Sequence, residues 1–85
     1  KSHAAADFWA CYHRLSTAAQ RKADETYERF RDNCAHPSLR FKPLQGPGNY
    51  WSVRVGEQYR AVGVRDGDTI IWFWIGTHNE FDKLF

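Results

Sequence analysis

One run of seven residues limits the folds open to this chain more than any other feature: Thr69-Ile70-Ile71-Trp72-Phe73-Trp74-Ile75. Every side chain in it is β-branched or aromatic, and no charge, Gly or Pro interrupts it. Such side chains pack well on a pleated surface and crowd a helix, so the run predicts a strand. Alternation puts Ile70, Trp72 and Trp74 on one face and Ile71, Phe73 and Ile75 on the other. Both faces are apolar, whereas an antiparallel strand with one wet face alternates apolar with polar. The run therefore predicts an interior strand covered on both sides. Helices from earlier in the chain supply one cover, and a ligand groove or a partner protein the other.

Two helices precede it. Asp7 to Leu15 carries Phe8, Cys11, Tyr12 and Leu15 at helical spacing. Ser16 or Thr17 can cap the next helix, Ala18 to Asn33, whose apolar stripe is Ala19, Ala23, Tyr27, Phe30 and Cys34. The break between them is short, which predicts an antiparallel hairpin. After Pro37 the pattern changes to alternation. Leu39 to Leu44 turns Leu39 and Phe41 inward and Arg40 and Lys42 outward, and Pro43 marks it as an edge or an end. Tyr50 to Val55 turns Trp51, Val53 and Val55 inward, and Tyr59 to Val64 follows. Arg65-Asp66-Gly67-Asp68 is a hairpin turn into the opening run, and Asn79 can cap a last helical segment, Glu80 to Phe85. The expectation is an α+β fold over residues 1–85 as one domain. An N-terminal antiparallel helix hairpin packs on a four-stranded antiparallel sheet, with a short C-terminal helical tail.

Composition narrows the chemistry. A net charge of +2 permits a nucleic-acid partner without requiring one, so clustering of the cations decides. Cys11 and Cys34 lie on different arms of the helix pair, roughly 20 Å apart at the helical rise per residue, beyond the ~7 Å reach of a disulfide. His36 and His78 lack a second ligand at zinc spacing, so neither a metal nor another cofactor is expected. The first residues lead into no long apolar run, and the longest apolar stretch is too short to span a bilayer, so the expectation is a cytoplasmic protein with no membrane partner.

Strand parity then collects Arg40, Lys42, Arg54, Arg60 and His78 on one sheet face, with Tyr50 and Trp72 or Trp74 among them. Cations that track phosphates and rings that stack bases suit single-stranded nucleic acid, and the same charges suit the transition state of phosphoryl transfer. Arginines on an open sheet face commonly only solubilise, and a lone histidine or tryptophan is more often structural. Arg60 stands apart, because a bulky cation inside a strand between Tyr59 and Ala61 needs a partner or a task.

Three segments carry a resemblance: His36-Pro37-Ser38-Leu39-Arg40-Phe41-Lys42-Pro43-Leu44, Trp51-Ser52-Val53-Arg54-Val55-Gly56-Glu57-Gln58-Tyr59-Arg60-Ala61-Val62-Gly63, and Trp74-Ile75-Gly76-Thr77-His78. In this order, after two helices, they are similar to the RelE/ParE superfamily of toxins from type II toxin–antitoxin systems. The resemblance implies a cognate antitoxin as partner. It also implies one of two activities. RelE-like members cut mRNA on the ribosome, with the nucleotide's own 2′-hydroxyl attacking the adjacent phosphate; ParE-like members inhibit DNA gyrase without nuclease residues. A degenerate member would bind its antitoxin and nothing else. For the ribonuclease, the resemblance implies Arg60, His78 and Arg54 as catalytic residues: Arg60 on the scissile phosphate, His78 as general acid or base, and Arg54 as a neighbouring cation. Arg40, Lys42, Tyr50 and Arg65 would then bind RNA. Ser52 stands where a RelE-like enzyme carries a second cation, and Phe81 or Phe85 where some nucleases carry a tyrosine.

Overall fold

The computed structural model describes residues 2–85. Strand β1 (Ser2–Ala4) leads into helices α1 (Ala6–His13) and α2 (Thr17–Asp32). Strands β2 (Lys42–Pro43), β3 (Tyr50–Val55), β4 (Tyr59–Asp66) and β5 (Thr69–Thr77) follow, and helix α3 (His78–Leu84) comes last. The sheet is five-stranded and mixed, in the order β1-β5-β4-β3-β2, with β1 parallel to β5 and every other pair antiparallel. The expected four-stranded antiparallel sheet is corrected by β1, which lies along β5 with Ser2 opposite Ile70 and Ala4 opposite Trp72. Three residues reading Ser-His-Ala carry no apolar period, so nothing in them announced a strand.

The helix pair forms as expected. Ser16 caps α2 by accepting from the Ala19 amide, and Gln20 Nε2 donates to the carbonyls of Leu15 and Tyr12. Tyr12 Oη donates to Asp24, which ties the two arms. Ala23 and Leu39 meet Val53, Val55, Ala61, Ile70, Trp72 and Ile75 in the core between helices and sheet. Leu39 and Phe41 do face that core, yet not from a strand. Pro37–Leu39 is a 3-10 turn and Arg40 takes a left-handed conformation with φ 46°, so only Lys42–Pro43 of the predicted strand pairs with the sheet. Cys11 and Cys34 are both free.

The alternation expected of β5 is also corrected. Val62 pairs with Trp74 and Gly63 with Trp72, so Phe73 is an extra residue in the ladder. A bulge shifts the side-chain period by one. Ile70, Trp72 and Ile75 therefore share the helix side, while Trp74 turns to the other face. Gly63 permits this: a Cβ there would lie 2.9 Å from Ile70 Cγ2, the Ile71 carbonyl and Trp72 Cε3.

The face away from α1 and α2 is covered in part by the chain itself. Trp74 meets Phe81 and Phe85 of the C-terminal segment at 6.4 and 5.4 Å between ring centroids. Thr77, not Asn79, caps α3: its hydroxyl accepts from the Glu80 amide, and Glu80 Oε1 accepts from the Thr77 amide at 2.9 Å. This reciprocal capping box satisfies two donors that a helix start otherwise leaves open. The Thr77 amide first, and its hydroxyl second, hold the Glu80 carboxyl below its ordinary pKa. The unfolded chain therefore takes up this proton before the folded one as pH falls. The box stabilises α3 above the ordinary glutamate range, and that stabilisation disappears as pH drops through the folded pKa. Acid titration should loosen α3 first, read from the Trp74 indole resonance, and Glu80→Gln should flatten that early phase. An unchanged titration in the variant would remove Glu80 as the cause.

Candidate active site

The site is a row of residues crossing the sheet on the α3 side. Arg54 stands directly opposite Arg60 across β3 and β4, and Arg60 opposite Gly76 across β4 and β5. Gly76 presents no side chain; a Cβ there would lie 2.6 Å from Trp74 Cζ2 and 2.8 Å from Glu80 Oε1. This glycine lets α3 begin close to the sheet, which sets His78 at the end of the row. Arg40 arrives from the opposite side through its left-handed turn, a conformation that costs a non-glycine residue roughly 1–2 kcal/mol. Arg40, Arg54, Glu57, Tyr59, Arg60 and His78 line one open cleft of about 280 Å³.

Hydrogen bonds hold these groups in place. Arg54 Nε donates to the Gly56 carbonyl at 3.0 Å. Arg60 Nε donates to His78 Nδ1 at 3.2 Å, and the Arg60 guanidinium lies 5.3 Å from the centre of the Phe81 ring. His78 is anchored by its backbone amide, which donates to the Gln58 carbonyl at 2.8 Å. Its ring stacks on Phe81, and its Nε2 lies 3.5 Å from Asp82 Oδ2. Burial first, then the charges of Arg54 and Arg40, lower the Arg60 pKa, with Asp82 acting in the opposite direction. Arg60 Nη1 is enclosed and has no hydrogen-bond partner among the described residues. Like charges directly opposite one another destabilise a sheet. Three arginines gathered with one unpaired donor are thus disfavoured when empty and relieved by an anion. A phosphate oxygen accepts charge-assisted bonds from such forks.

Arg60, Arg54, Arg40 and His78 are therefore brought together. Lys42 is exposed on the sheet edge opposite Ser52, adjacent to the row but outside the cleft lining. Tyr50 shares the face by strand parity but sits at the far end of β3, half exposed and 5.6 Å from the Phe73 ring centre. Arg65 is placed elsewhere: its Nε donates to the Gly67 carbonyl, and its guanidinium lies over Trp51 at 4.7 Å. Trp72 belongs to the core and Trp74 packs beneath α3, so neither ring lines the cleft. Glu57, Tyr59 and Asp82 were not anticipated, and Phe81, singled out only for lacking a hydroxyl, serves as the surface under Arg60 and His78. The Thr77-x-x-Glu80 spacing announces the helix start, and from it His78 and Asp82 fall four apart on one helix face. Among the described residues no group of three His, Cys, Asp or Glu could hold a metal, and no helix is long and apolar enough to cross a membrane.

The ParE-like toxin domain model matches residues 17–83. In solved structures, the fold is similar to the RelB–RelE antitoxin–toxin complex from Methanococcus jannaschii. The TM-score is 0.75, with 22% identity over 96% of this chain and 96% of that one. YafQ from E. coli strain BL21(DE3) gives a TM-score of 0.74 with 12% identity, covering 95% and 96%. The YoeB/ParE toxin from Agrobacterium tumefaciens gives 0.68 with 19% identity, covering 92% and 98%. No curated protein matches the chain.

Proposed function

This chain belongs to the ParE-like toxin domain family of the RelE/ParE superfamily, and we propose that it is the toxin of a toxin–antitoxin pair that cuts mRNA on the ribosome. The observation that supports this reading best is the row itself: Arg54 and Arg60 face to face, Arg40 beside them, and His78 bonded to Arg60. In the proposed reaction the RNA's own 2′-hydroxyl attacks the adjacent phosphorus. The new bond joins the 2′-oxygen to phosphorus, the bond from phosphorus to the 5′-oxygen breaks, and a cyclic phosphate and a free 5′-hydroxyl result. Arg60 and Arg54 balance the charge that grows on the phosphate oxygens, which is where fixed donors give most. His78 moves the proton, with Nδ1 as the ring atom that faces the row of cations. Arg40 holds a neighbouring phosphate, and Lys42 and Tyr50 lie further along the same face for the flanking strand. The antitoxin, in this reading, lays an acidic segment across the same cations; that there is a partner at all is supported by the RelB–RelE antitoxin–toxin complex of similar fold.

Inhibition of DNA gyrase is the rival, and Ser52 favours it. Where the ribonuclease members carry a second cation, this serine is fully buried, and its Oγ has no hydrogen-bond partner among the described residues. Induced expression separates the two. Ribonuclease action stops protein synthesis first and produces cut coding sequences while plasmid supercoiling holds. Loss of supercoiling with synthesis intact would establish the gyrase reading instead, and absence of any arrest would leave only antitoxin binding.

A further inference from the structure

Arg60 occupies one ring nitrogen of His78 and the Asp82 carboxylate stands near the other, and this bears on how the cleft is switched on. Arg60 Nε carries a hydrogen and only donates, so His78 Nδ1, 3.2 Å away, must present its lone pair. In the neutral ring the proton then sits on Nε2, which faces the Asp82 carboxylate at 3.5 Å. A base whose lone pair is already engaged cannot take a proton from substrate. Arg60 is meanwhile not at ease in this pose, with Nη1 enclosed and unpaired, and Arg54 opposite it. An unmet buried donor is costly, whereas a guanidinium on a phosphate gains two charge-assisted bonds.

Resting on the ribonuclease reading and deepening it, we infer that Arg60 masks the base His78 until a substrate phosphate draws it away, and that Asp82 is the positioning residue that holds His78 in the tautomer so exposed. The sequence of events balances. Arg60 leaves Nδ1 for the phosphate oxygens, and Nδ1 takes the proton of the 2′-hydroxyl as its oxygen bonds to phosphorus. The bond to the 5′-oxygen breaks, that oxygen takes a proton from water, and the hydroxide left behind takes the proton back from the His78 imidazolium. Until then Asp82 faces an imidazolium and balances its charge. The other charged groups near the ring are Arg40, Arg54 and Glu57 of the cleft; Glu80 is turned back to the cap of α3. Proton transfer is thereby tied to the arrival of a phosphodiester, so a nucleoside without phosphate does not activate the cleft.

The test is nitrogen–proton NMR of the His78 ring in the full chain, assigned with His78→Gln, together with single-turnover cleavage of a ribosome-bound mRNA. The ligand-free protein should show the Nε2–H tautomer, and inorganic phosphate should shift the Nδ1 resonance toward that of a lone pair without a donor. With saturating phosphate present, Asp82→Asn should give a mixture of tautomers where the wild type keeps Nε2–H, and it should lower kcat about 10- to 100-fold with KM nearly unchanged; Asp82→Glu should restore part of it. An Nδ1–H tautomer in the wild type, or an Nδ1 resonance that saturating phosphate leaves in place, would overturn the inference even if the protein cuts RNA. The expected NMR behaviour with no RNA cleavage would support the masking and overturn the ribonuclease reading alone.

Discussion

Arg60→Ala is expected to lower mRNA cleavage about 100- to 1000-fold, the usual loss when one preorganised donor is taken from a developing oxyanion. The fold should survive. Arg60 is only half buried, and its packing on Phe81 contributes on the order of 1 kcal/mol. Its removal also ends the repulsion with Arg54 and the unmet donor at Nη1, both of which oppose folding. The melting temperature should therefore change little while growth arrest disappears. Arg60→Lys is informative beside it, because lysine keeps the charge and loses the planar fork, so it should retain only a part of the activity. Cleavage at the wild-type rate in a folded Arg60→Ala protein would end the proposed mechanism.

Trp72→Ala should have the largest effect on stability. Trp72 is 4% exposed, with Phe30 and Phe41 edge-on or tilted against it at 5.4 and 6.4 Å between centroids. Removing a buried ring of this size costs about 3–5 kcal/mol, a large share of the typical total of about 5–15 kcal/mol. Urea unfolding should find the midpoint of the variant far below that of the wild type, and an unchanged midpoint would remove Trp72 from the core. Trp72→Phe should be far milder, because Trp72 Nε1 has no hydrogen-bond partner among the described residues and a phenyl ring leaves no donor stranded. Trp74→Ala should leave the core standing and act on the site instead, through a loosened α3 and a displaced His78. If the two tryptophan variants behaved alike, the bulge at Phe73 would not be placed as described.

These contrasts show where residue patterns speak and where they fall silent. The helix pair and the pairing of Arg54 with Arg60 follow from periodicity and short connections, since both depend on local spacing. Arg40 joins its row through a left-handed turn after a proline, which parity treats as plain strand. The facing of Trp72 and Trp74 depends on a single extra residue in a ladder, which an unbroken apolar run does not disclose. Gly63 and Gly76 are the visible traces: each stands in a strand where a ring needs the space. Asp82 needed the register of α3, and the α3 cap needed Thr77 rather than Asn79. Arg65 illustrates the limit of reading cations as a set, because Trp51 and the hairpin carbonyl already occupy it.

The parallel edge formed by β1 has an implication for how the molecule comes into being. Residue 2 lies beside residue 70, and Ala4 beside Trp72, so the earliest strand must wait for the latest one. Contacts this distant along a chain slow folding. During synthesis β1 emerges long before its neighbour β5 exists, and His78 is made later still. A copy still being made therefore lacks both the β1–β5 pairing and the end of the cleft that His78 forms.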